Sequence, residues 1–126
     1  MNNPDTNDAF NTSDTTENWA MGLMFGLAIG DAMGAPIEFE NGREPDDYIT
    51  KYMTGGAHGV SKGEFTDDTS MALAMAEAFS EAGGLAPGLI MDNFLKWKTD
   101  GAYSPRGVMF DCGNTPDPWR RRSTEL

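Results

Sequence analysis

The sequence predicts an all-α fold, and three observations support this prediction. Apolar residues recur at helical spacing in three segments of the chain. Helix start and stop signals, which include a capping pattern at Asp14 and the pair Gly83-Gly84, bracket these segments. No run of strand length alternates convincingly between apolar and polar residues. With 126 residues, the chain is expected to form at most one domain.

The first helix is predicted from Thr15 to about Met33. Asp14 precedes it, and Glu17 follows Asp14 at the three-residue spacing with which two side chains cap a helix start reciprocally. Pro36 comes directly after the last apolar turn, and we expect it to stop the helix because proline cannot continue the helical hydrogen-bond ladder.

Four glycines are spaced along this helix and its end, and the three interior ones need a physical reason. An interior glycine costs a helix about 1 kcal/mol relative to alanine, and a spacing of four residues places all four on one slowly drifting stripe. One interpretation is close packing of the stripe against another helix. The other is the approach of a ligand to the backbone at the C-terminal end of the stripe, and the two interpretations are compatible. The glycines are Gly22, Gly26, Gly30 and Gly34.

A second helix is predicted from Thr66 or Asp67 to about Ala82. The glycine pair that follows Ala82 supplies the C-terminal stop. Apolar residues at intervals of three and four predict one buried face along this helix. The face consists of Met71, Met75, Ala78, Phe79 and Ala82.

A third helix is predicted from Pro87 to Lys98, because proline suits a first helical turn and lysine a last one. Its expected buried face consists of Leu89, Ile90, Phe94 and Trp97. One further brief helix is expected over residues 48–53, where four apolar and aromatic side chains have helical spacing.

The chain is strongly acidic, with 20 acidic residues, 9 basic residues and a net charge of −11. This charge repels phosphates and anionic lipid, so neither a nucleic acid nor a membrane is an expected partner. The uncharged run 19–29 is shorter than the roughly 20 residues needed to span a bilayer. The single cysteine, Cys112, allows no internal disulfide and agrees with a reducing compartment. We therefore expect a soluble cytoplasmic protein.

Two adjacent carboxylates, Asp67 and Asp68, stand between Thr66 and Thr69 at the predicted start of the second helix. Aspartate and threonine are preferred at helix starts, so a helix cap is the simplest interpretation. A single cap needs only one such residue, however, and the cluster also supplies hard oxygen ligands for Mg²⁺ or Mn²⁺. A bound cation would remove the repulsion between the two acids. Because adjacent helical residues point about 100° apart, the pair is better placed to bridge two cations than to chelate one.

Other polar residues give weaker signals. Asp31 lies near the C-terminus of the first helix, where the helix dipole disfavours an acid, so it needs a partner and a cation would serve. Glu38 follows Pro36 and is interpreted from composition alone as a solvated loop acid. The only histidine, His58, lies between glycines and is expected to be an exposed loop residue. No constellation joins it to Cys112.

Three stretches together resemble the ADP-ribosylglycohydrolase family. They are GLAIGDAMGAPIEFE (26–40), GEFTDDTSMALAMAEAF (63–79) and NFLKWKTDGAYSPRGVMFDCGNT (93–115), and their order and spacing match as well as their content. The resemblance covers about residues 17–115. It implies an all-α domain with two Mg²⁺ ions in a cleft, and hydrolysis of the glycosidic bond that links ADP-ribose to a protein side chain or a related small substrate.

The resemblance also implies roles for particular residues. Thr66, Asp67 and Asp68 would be metal ligands, and Glu38 and Asp67 would be the catalytic residues, with Glu38 near the scissile bond. The loop that cradles ADP-ribose would contribute Gly101, Tyr103, Ser104 and Gly107. In chemical terms, metals hold the ribose hydroxyls and orient a water while carboxylates stabilise an oxocarbenium-like state.

The chain departs from the family at its C-terminal end. Family members carry a second motif rich in Asp and Thr that completes the metal site, and this sequence contains no such later cluster. The sequence changes character at Pro116, which suggests out-of-frame translation or an artificial end. The predicted organisation is a disordered segment 1–13, a partial domain 14–115 and an aberrant or disordered tail 116–126. We expect a hydrolase lineage with no turnover by this chain alone.

Two alternatives remain open from the sequence. The first is an inactive fragment or a module that binds ADP-ribose or Mg²⁺. The second is a small acidic helical interaction protein without a ligand.

Overall fold

Helices account for all the regular structure in the part of the chain that the computed structural model describes, residues 15–44 and 46–113. Within these residues, the only β-type pairing is an isolated bridge between Gly55 and Val60. The all-α prediction is therefore confirmed. The predicted cap Asp14, the segment 1–13 and the tail 116–126 lie outside the described residues. The helices are α1 (Thr15–Gly34), a 3₁₀ turn (Ala35–Ile37), α2 (Asp67–Ala82) and α3 (Pro87–Asp100).

Helix α1 ends close to its predicted boundary, and the buried Pro36 lies in the 3₁₀ turn that follows. The side of α1 nearest the other helices carries the half-buried Met24 and Ala28 and the buried Ala32. The prediction that the glycine stripe packs against another helix is wrong for the described residues. A Cβ atom added at any of the four glycines would meet nothing within 4 Å. Packing instead follows the neighbouring stripe of Met and Ala, which offers more apolar area than glycine.

The opposite side of α1 carries large apolar side chains that the described residues leave exposed. Trp19, Leu23 and Phe25 are 75%, 76% and 60% exposed. By length and composition, the segment Thr16–Ile37 could also cross a membrane, a criterion that core helices of soluble proteins and signal sequences meet as well. In this structure, the C-terminal turns of α1 contact α2 through Asp31, and this contact positions α1.

Helix α2 has the predicted bounds but buries a different stripe. Ala74 and Ala78 are fully buried, together with Ser70. The predicted face is wrong at Met75 and Phe79, which are exposed, and at Ala82, which is exposed as well. Small residues at the contact between α2 and α3 let α3 approach the backbone of α2 closely, whereas large side chains would prevent this approach.

Helix α3 supplies the large groups of this contact. Trp97 is buried as predicted, and Leu89, Ile90 and Phe94 are half-buried. Asn93 is fully buried as well, which the sequence analysis does not predict. Its amide donates to the carbonyl of Ala74 at 3.1 Å and its oxygen accepts from Lys96 at 3.0 Å. Because an unpaired buried amide is costly, the bond to Ala74 ties α3 to α2 in one register, while the bond from Lys96 lies within α3.

The described residues of the long connection between the 3₁₀ turn and α2 contain no helix, so the brief helix predicted at residues 48–53 is wrong. Tyr48 is 76% exposed, so the described part of the chain buries little of its ring. An isolated turn of helix gains too few hydrogen bonds to offset the cost of nucleation. Within the connection, two 2.8 Å hydrogen bonds between Gly55 and Val60 close a tight turn, and the side chain of Val60 is buried.

Candidate functional site

The start of α2 is held by an acid from α1. The carboxylate of Asp31 accepts hydrogen bonds from the backbone amide of Thr66 at 2.9 and 3.0 Å and from its hydroxyl at 2.6 Å. It also accepts from the amide and hydroxyl of Thr69, at 3.1 and 2.6 Å. The first amides of a helix lack intrahelical acceptors and attract negative charge. The expectation that Asp31 needs a partner is therefore confirmed, and this partner is the N-terminus of α2 rather than a cation.

This arrangement changes the role of the threonines. The side chain of Thr66, the residue before α2, makes no capping bond to the helix it precedes. Its hydroxyl hydrogen points instead to Asp31. Asp31 is thus the cap of α2, supplied by another helix, and the oxygen lone pairs of Thr66 are not used in capping.

The predicted metal ligands and Glu38 line one cleft. The cleft has a volume of about 400 Å³ and lies between the C-terminal end of α1, the 3₁₀ turn and the first turn of α2. Gly30 and Gly34 also line it, which agrees with the interpretation that a ligand approaches the glycine stripe at its end. The remaining lining residues are Asp31, Ala35, Ile37, Glu38, Thr66, Asp67 and Asp68.

The cleft concentrates negative charge. Burial raises the pKa of Asp67 above its ordinary value, and the neighbouring carboxylates of Asp111 and Asp68 raise it further. Both effects oppose ionisation of Asp67. A cation among these oxygens would offset both, and the threonine hydroxyl and carboxylates are the hard ligands that Mg²⁺ prefers. The residues present therefore fit a divalent metal.

A second group of ligand-type side chains lies at the rim of the cleft. Nε2 of His58 lies 3.0 Å from a carboxylate oxygen of Glu38 and 3.3 Å from one of Asp111. The three donor atoms all lie within 4.8 Å of one another. The side chains of His58 and Asp111 are only 15% and 14% exposed, whereas that of Glu38 is 42% exposed. His58 lies in a loop as expected, but the expectation that its side chain is exposed is wrong.

The turn at residues 55–60 explains how His58 reaches Glu38. Gly56 has a positive φ of 69°, and a Cβ atom there would lie 2.5 Å from the carbonyl oxygen of Pro36. Only glycine permits this approach. The turn therefore packs directly on the 3₁₀ turn that precedes Glu38. The rings of Phe39 and Phe110 flank the imidazole, with centroid distances of 6.0 and 6.4 Å.

Arg106 joins the segment after α3 to the same turn. Its guanidinium donates hydrogen bonds to both carboxylate oxygens of Glu64 at 2.8 Å. It also donates to the carbonyls of His58 and Gly59 at 3.1 and 3.2 Å. It also stacks 3.7 Å from the ring centre of Phe110. The bonds from Arg106 lower the pKa of Glu64 to about 2, although partial burial opposes the shift. Arg106 thus joins the turn that carries His58 to the ring of Phe110, the residue before Asp111.

The four residues predicted to cradle ADP-ribose lie in the loop after α3 and do not line the cleft. The loop is closed by two successive turns, and the hydroxyl of Ser104 donates to the carbonyl of Val108 at 2.6 Å. The hydroxyl of Tyr103 donates to Glu77 of α2. Burial, followed by this carboxylate, raises the pKa of Tyr103 to about 12. A role for Gly101, Tyr103, Ser104 and Gly107 in substrate binding stays a prediction.

The sequence interpretation missed Asp111, although a signal existed. Asp111 is the only charged residue in the otherwise apolar run 108–112. An acid at such a position is expected to have a partner, because a charge near apolar neighbours is costly when unpaired. The neighbouring Cys112 is a free, exposed thiol.

Comparisons with known proteins give one family match and several relatives. Residues 12–124 match the ADP-ribosylglycohydrolase family. The chain is 42% identical over 98 residues to ADP-ribosylarginine hydrolase Tri1 of Serratia proteamaculans, an overlap that covers 76% of this chain and 26% of that protein. The protein of the same name from Pseudomonas putida is 38% identical, with 75% and 25% covered.

A third relative is the ADP-ribosyl-[dinitrogen reductase] glycohydrolase of Rhodospirillum rubrum, which is 37% identical over 107 residues. The overlap covers 82% of this chain and 34% of that protein. The chain thus spans between a quarter and about a third of the length of the curated relatives it matches.

Proposed function

Because the chain belongs to the ADP-ribosylglycohydrolase family, we propose that it carries part of the active site of a Mg²⁺-dependent hydrolase. The bond cleaved is the glycosidic bond between ADP-ribose and a side chain of a modified protein, or the equivalent bond of a small ADP-ribosyl substrate. The observation that carries this proposal is the convergence of Glu38, Thr66, Asp67 and Asp68 on one cleft. The setting we propose is the cytoplasm, which the absence of a possible disulfide within the chain favours.

Each residue has a distinct task in the proposed reaction. Thr66, Asp67 and Asp68 would hold the metal, and Asp31 keeps the Thr66 hydroxyl hydrogen turned away from it. Bound Mg²⁺ supplies positive charge that polarises the sugar hydroxyls and a water. Glu38, exposed at the rim, faces the same cleft and would stabilise positive charge that develops on the ribose. His58 holds one oxygen of Glu38 at 3.0 Å.

Arginine is the acceptor we propose to test first. Two of the relatives are named as ADP-ribosylarginine hydrolases, and a third is named for a modified dinitrogen reductase. The test incubates the purified 126-residue protein with Mg²⁺ and a protein ADP-ribosylated on arginine, and measures the ADP-ribose released. We expect Asp67→Asn to abolish any release. The matched control is Asp47→Asn, an exposed acid paired with Arg43, which should leave release unchanged.

A second candidate function is binding without turnover by this polypeptide alone. The exposed apolar side chains of α1 favour it, because the described residues bury little of the helix that carries Asp31. In this case equilibrium dialysis would detect Mg²⁺-dependent binding of ADP-ribose with no release of product. Absence of both release and binding would contradict both candidate functions.

A further inference from the structure

We propose that Glu38, His58 and Asp111 form a second metal site, specific for a divalent transition-metal cation of the zinc class. This site is distinct from the oxygen site at Thr66, Asp67 and Asp68. The inference rests on the geometry of the three side chains and does not require the proposed hydrolase activity.

The distances between the donor atoms fit zinc. A tetrahedral zinc ion binds nitrogen and oxygen at about 2.0–2.1 Å, which places neighbouring ligand atoms about 3.3 Å apart. Nε2 of His58 lies 3.0 Å from the Glu38 oxygen and 3.3 Å from the Asp111 oxygen. The three donor atoms lie within 4.8 Å of one another, so a small closing movement of the two carboxylates completes three corners of the tetrahedron.

Hydrogen bonding alone satisfies this group poorly. Nε2 carries at most one hydrogen, so it cannot donate a full bond to Glu38 and to Asp111 at the same time. The two carboxylates also repel each other in a partly buried position. A divalent cation bound by all three groups removes both problems, because a neutral imidazole and two carboxylates are its natural ligands.

The surroundings hold the ligands in place before a metal binds. Phe39 and Phe110, each adjacent in sequence to one of the carboxylates, flank the imidazole ring. Arg106 bonds the carbonyl of His58, and its charge is offset by the fork with Glu64. A preorganised set of ligands loses less conformational entropy on binding the metal.

The ligand types separate the two sites. Imidazole nitrogen favours zinc over Mg²⁺, which binds oxygen and keeps several of its waters. Mg²⁺ in excess should therefore occupy the oxygen site and leave the Glu38–His58–Asp111 site available to Zn²⁺.

His58 gives a direct signal, because it is the only histidine in the chain. In a ¹H NMR titration of the untagged 126-residue protein in excess Mg²⁺, we expect one equivalent of Zn²⁺ to shift the two imidazole resonances. Unchanged resonances at saturating Zn²⁺ would overturn the proposal. This measurement needs no variant, so it is independent of any effect of substitution on folding.

Affinity is measured by competition with a chromophoric zinc chelator, again in excess Mg²⁺. His58→Gln and Asp111→Asn should each weaken Zn²⁺ binding by at least about tenfold, with folding checked by circular dichroism. Glu40→Gln, a nearby acid paired with Arg43, is the matched control and should bind as the original chain does. Cys112→Ser tests the exposed thiol next to Asp111, and loss of binding in this variant alone would refute the assignment.

Discussion

The carboxylate of Asp31 accepts hydrogen bonds from both the amide and the hydroxyl of Thr66, 35 residues further along the chain. One side chain therefore caps α2 and also orients the first of the proposed metal ligands. The stability of the fold and the geometry of the cleft consequently depend on the same bonds.

Asp31→Asn should impair both properties. The amide nitrogen of asparagine cannot accept the bonds that one carboxylate oxygen accepts, and bonds to a charged group contribute about 1.5–3 kcal/mol each. We expect a loss of about 2–4 kcal/mol in the free energy of unfolding, measured by urea denaturation. Mg²⁺ affinity, measured by calorimetry, should fall as well. Asp47→Asn is the control, and equal effects of the two substitutions would contradict this role for Asp31.

Gly101→Ala should destabilise the chain strongly. Gly101 ends α3 with a φ of 69°, and an added Cβ would lie 2.0 Å from the carbonyl oxygen of Gly107. The backbone strain and the steric clash together should lower the free energy of unfolding by on the order of 3 kcal/mol. The loss is measured as a lower melting temperature. Gly88→Ala is the matched control, because Gly88 lies in α3 with open space around its Cα. This control should stabilise the chain by about 0.5–1 kcal/mol.

Glu64→Gln should reveal a pH-dependent contribution to stability. The pKa of Glu64 is lowered from 4.5 to about 2, mainly by its bonds to Arg106. An acid whose pKa is lower in the folded state stabilises the fold at pH values above its pKa in the unfolded chain. This stabilisation is lost as the pH falls through the pKa of the folded state. The variant should therefore be less stable than the original at pH 6, and the difference should shrink between pH 4.5 and 2.

The control for this experiment is Glu40→Gln, whose exposed ion pair with Arg43 should contribute at most about 1 kcal/mol. Melting temperatures of the three proteins are compared across the same pH series. A difference between Glu64→Gln and the original chain that stays constant with pH would show that charge is not the source of the stabilisation.

Zinc should inhibit hydrolysis if both proposals hold, because a cation bound to Glu38 removes this carboxylate from the reaction. ADP-ribose release in excess Mg²⁺ should fall as Zn²⁺ is added, and Asp111→Asn should weaken this inhibition by about tenfold. Inhibition that is equally strong in the variant would place the inhibitory zinc elsewhere. If no release occurs, the NMR titration still tests the zinc site separately.

The sequence predicted the helices well because their signals are local. Pro87 at the start of α3 and the glycine after Ala82 act on their own turns, so their effect requires no knowledge of the rest of the fold. The buried faces were less predictable. Met75 and Phe79 were expected to be buried because they are hydrophobic, but they are exposed. The predicted Ala78 and the unpredicted Ala74 are buried instead, because close approach of α3 requires small residues.

The candidate site could likewise be predicted from the sequence only in part. The adjacent residues Thr66, Asp67 and Asp68 could be predicted as a unit, because three successive residues at a helix start necessarily lie together. The bond between Asp31 and Thr66 and the contact between His58 and Asp111 could not be predicted, since each joins residues that are far apart in sequence.

The three helices, the acidic character and the family of this protein could be predicted from the sequence, because helix propensities, caps and contiguous motifs depend on neighbouring residues. Three relationships required the folded structure: Asp31 caps α2, Glu38 shares a cleft with Asp67, and His58 lies between two carboxylates. These relationships depend on how the turn at Gly56 packs on Pro36 and on where Arg106 binds. Such contacts between distant segments are set by packing and charge pairing in three dimensions.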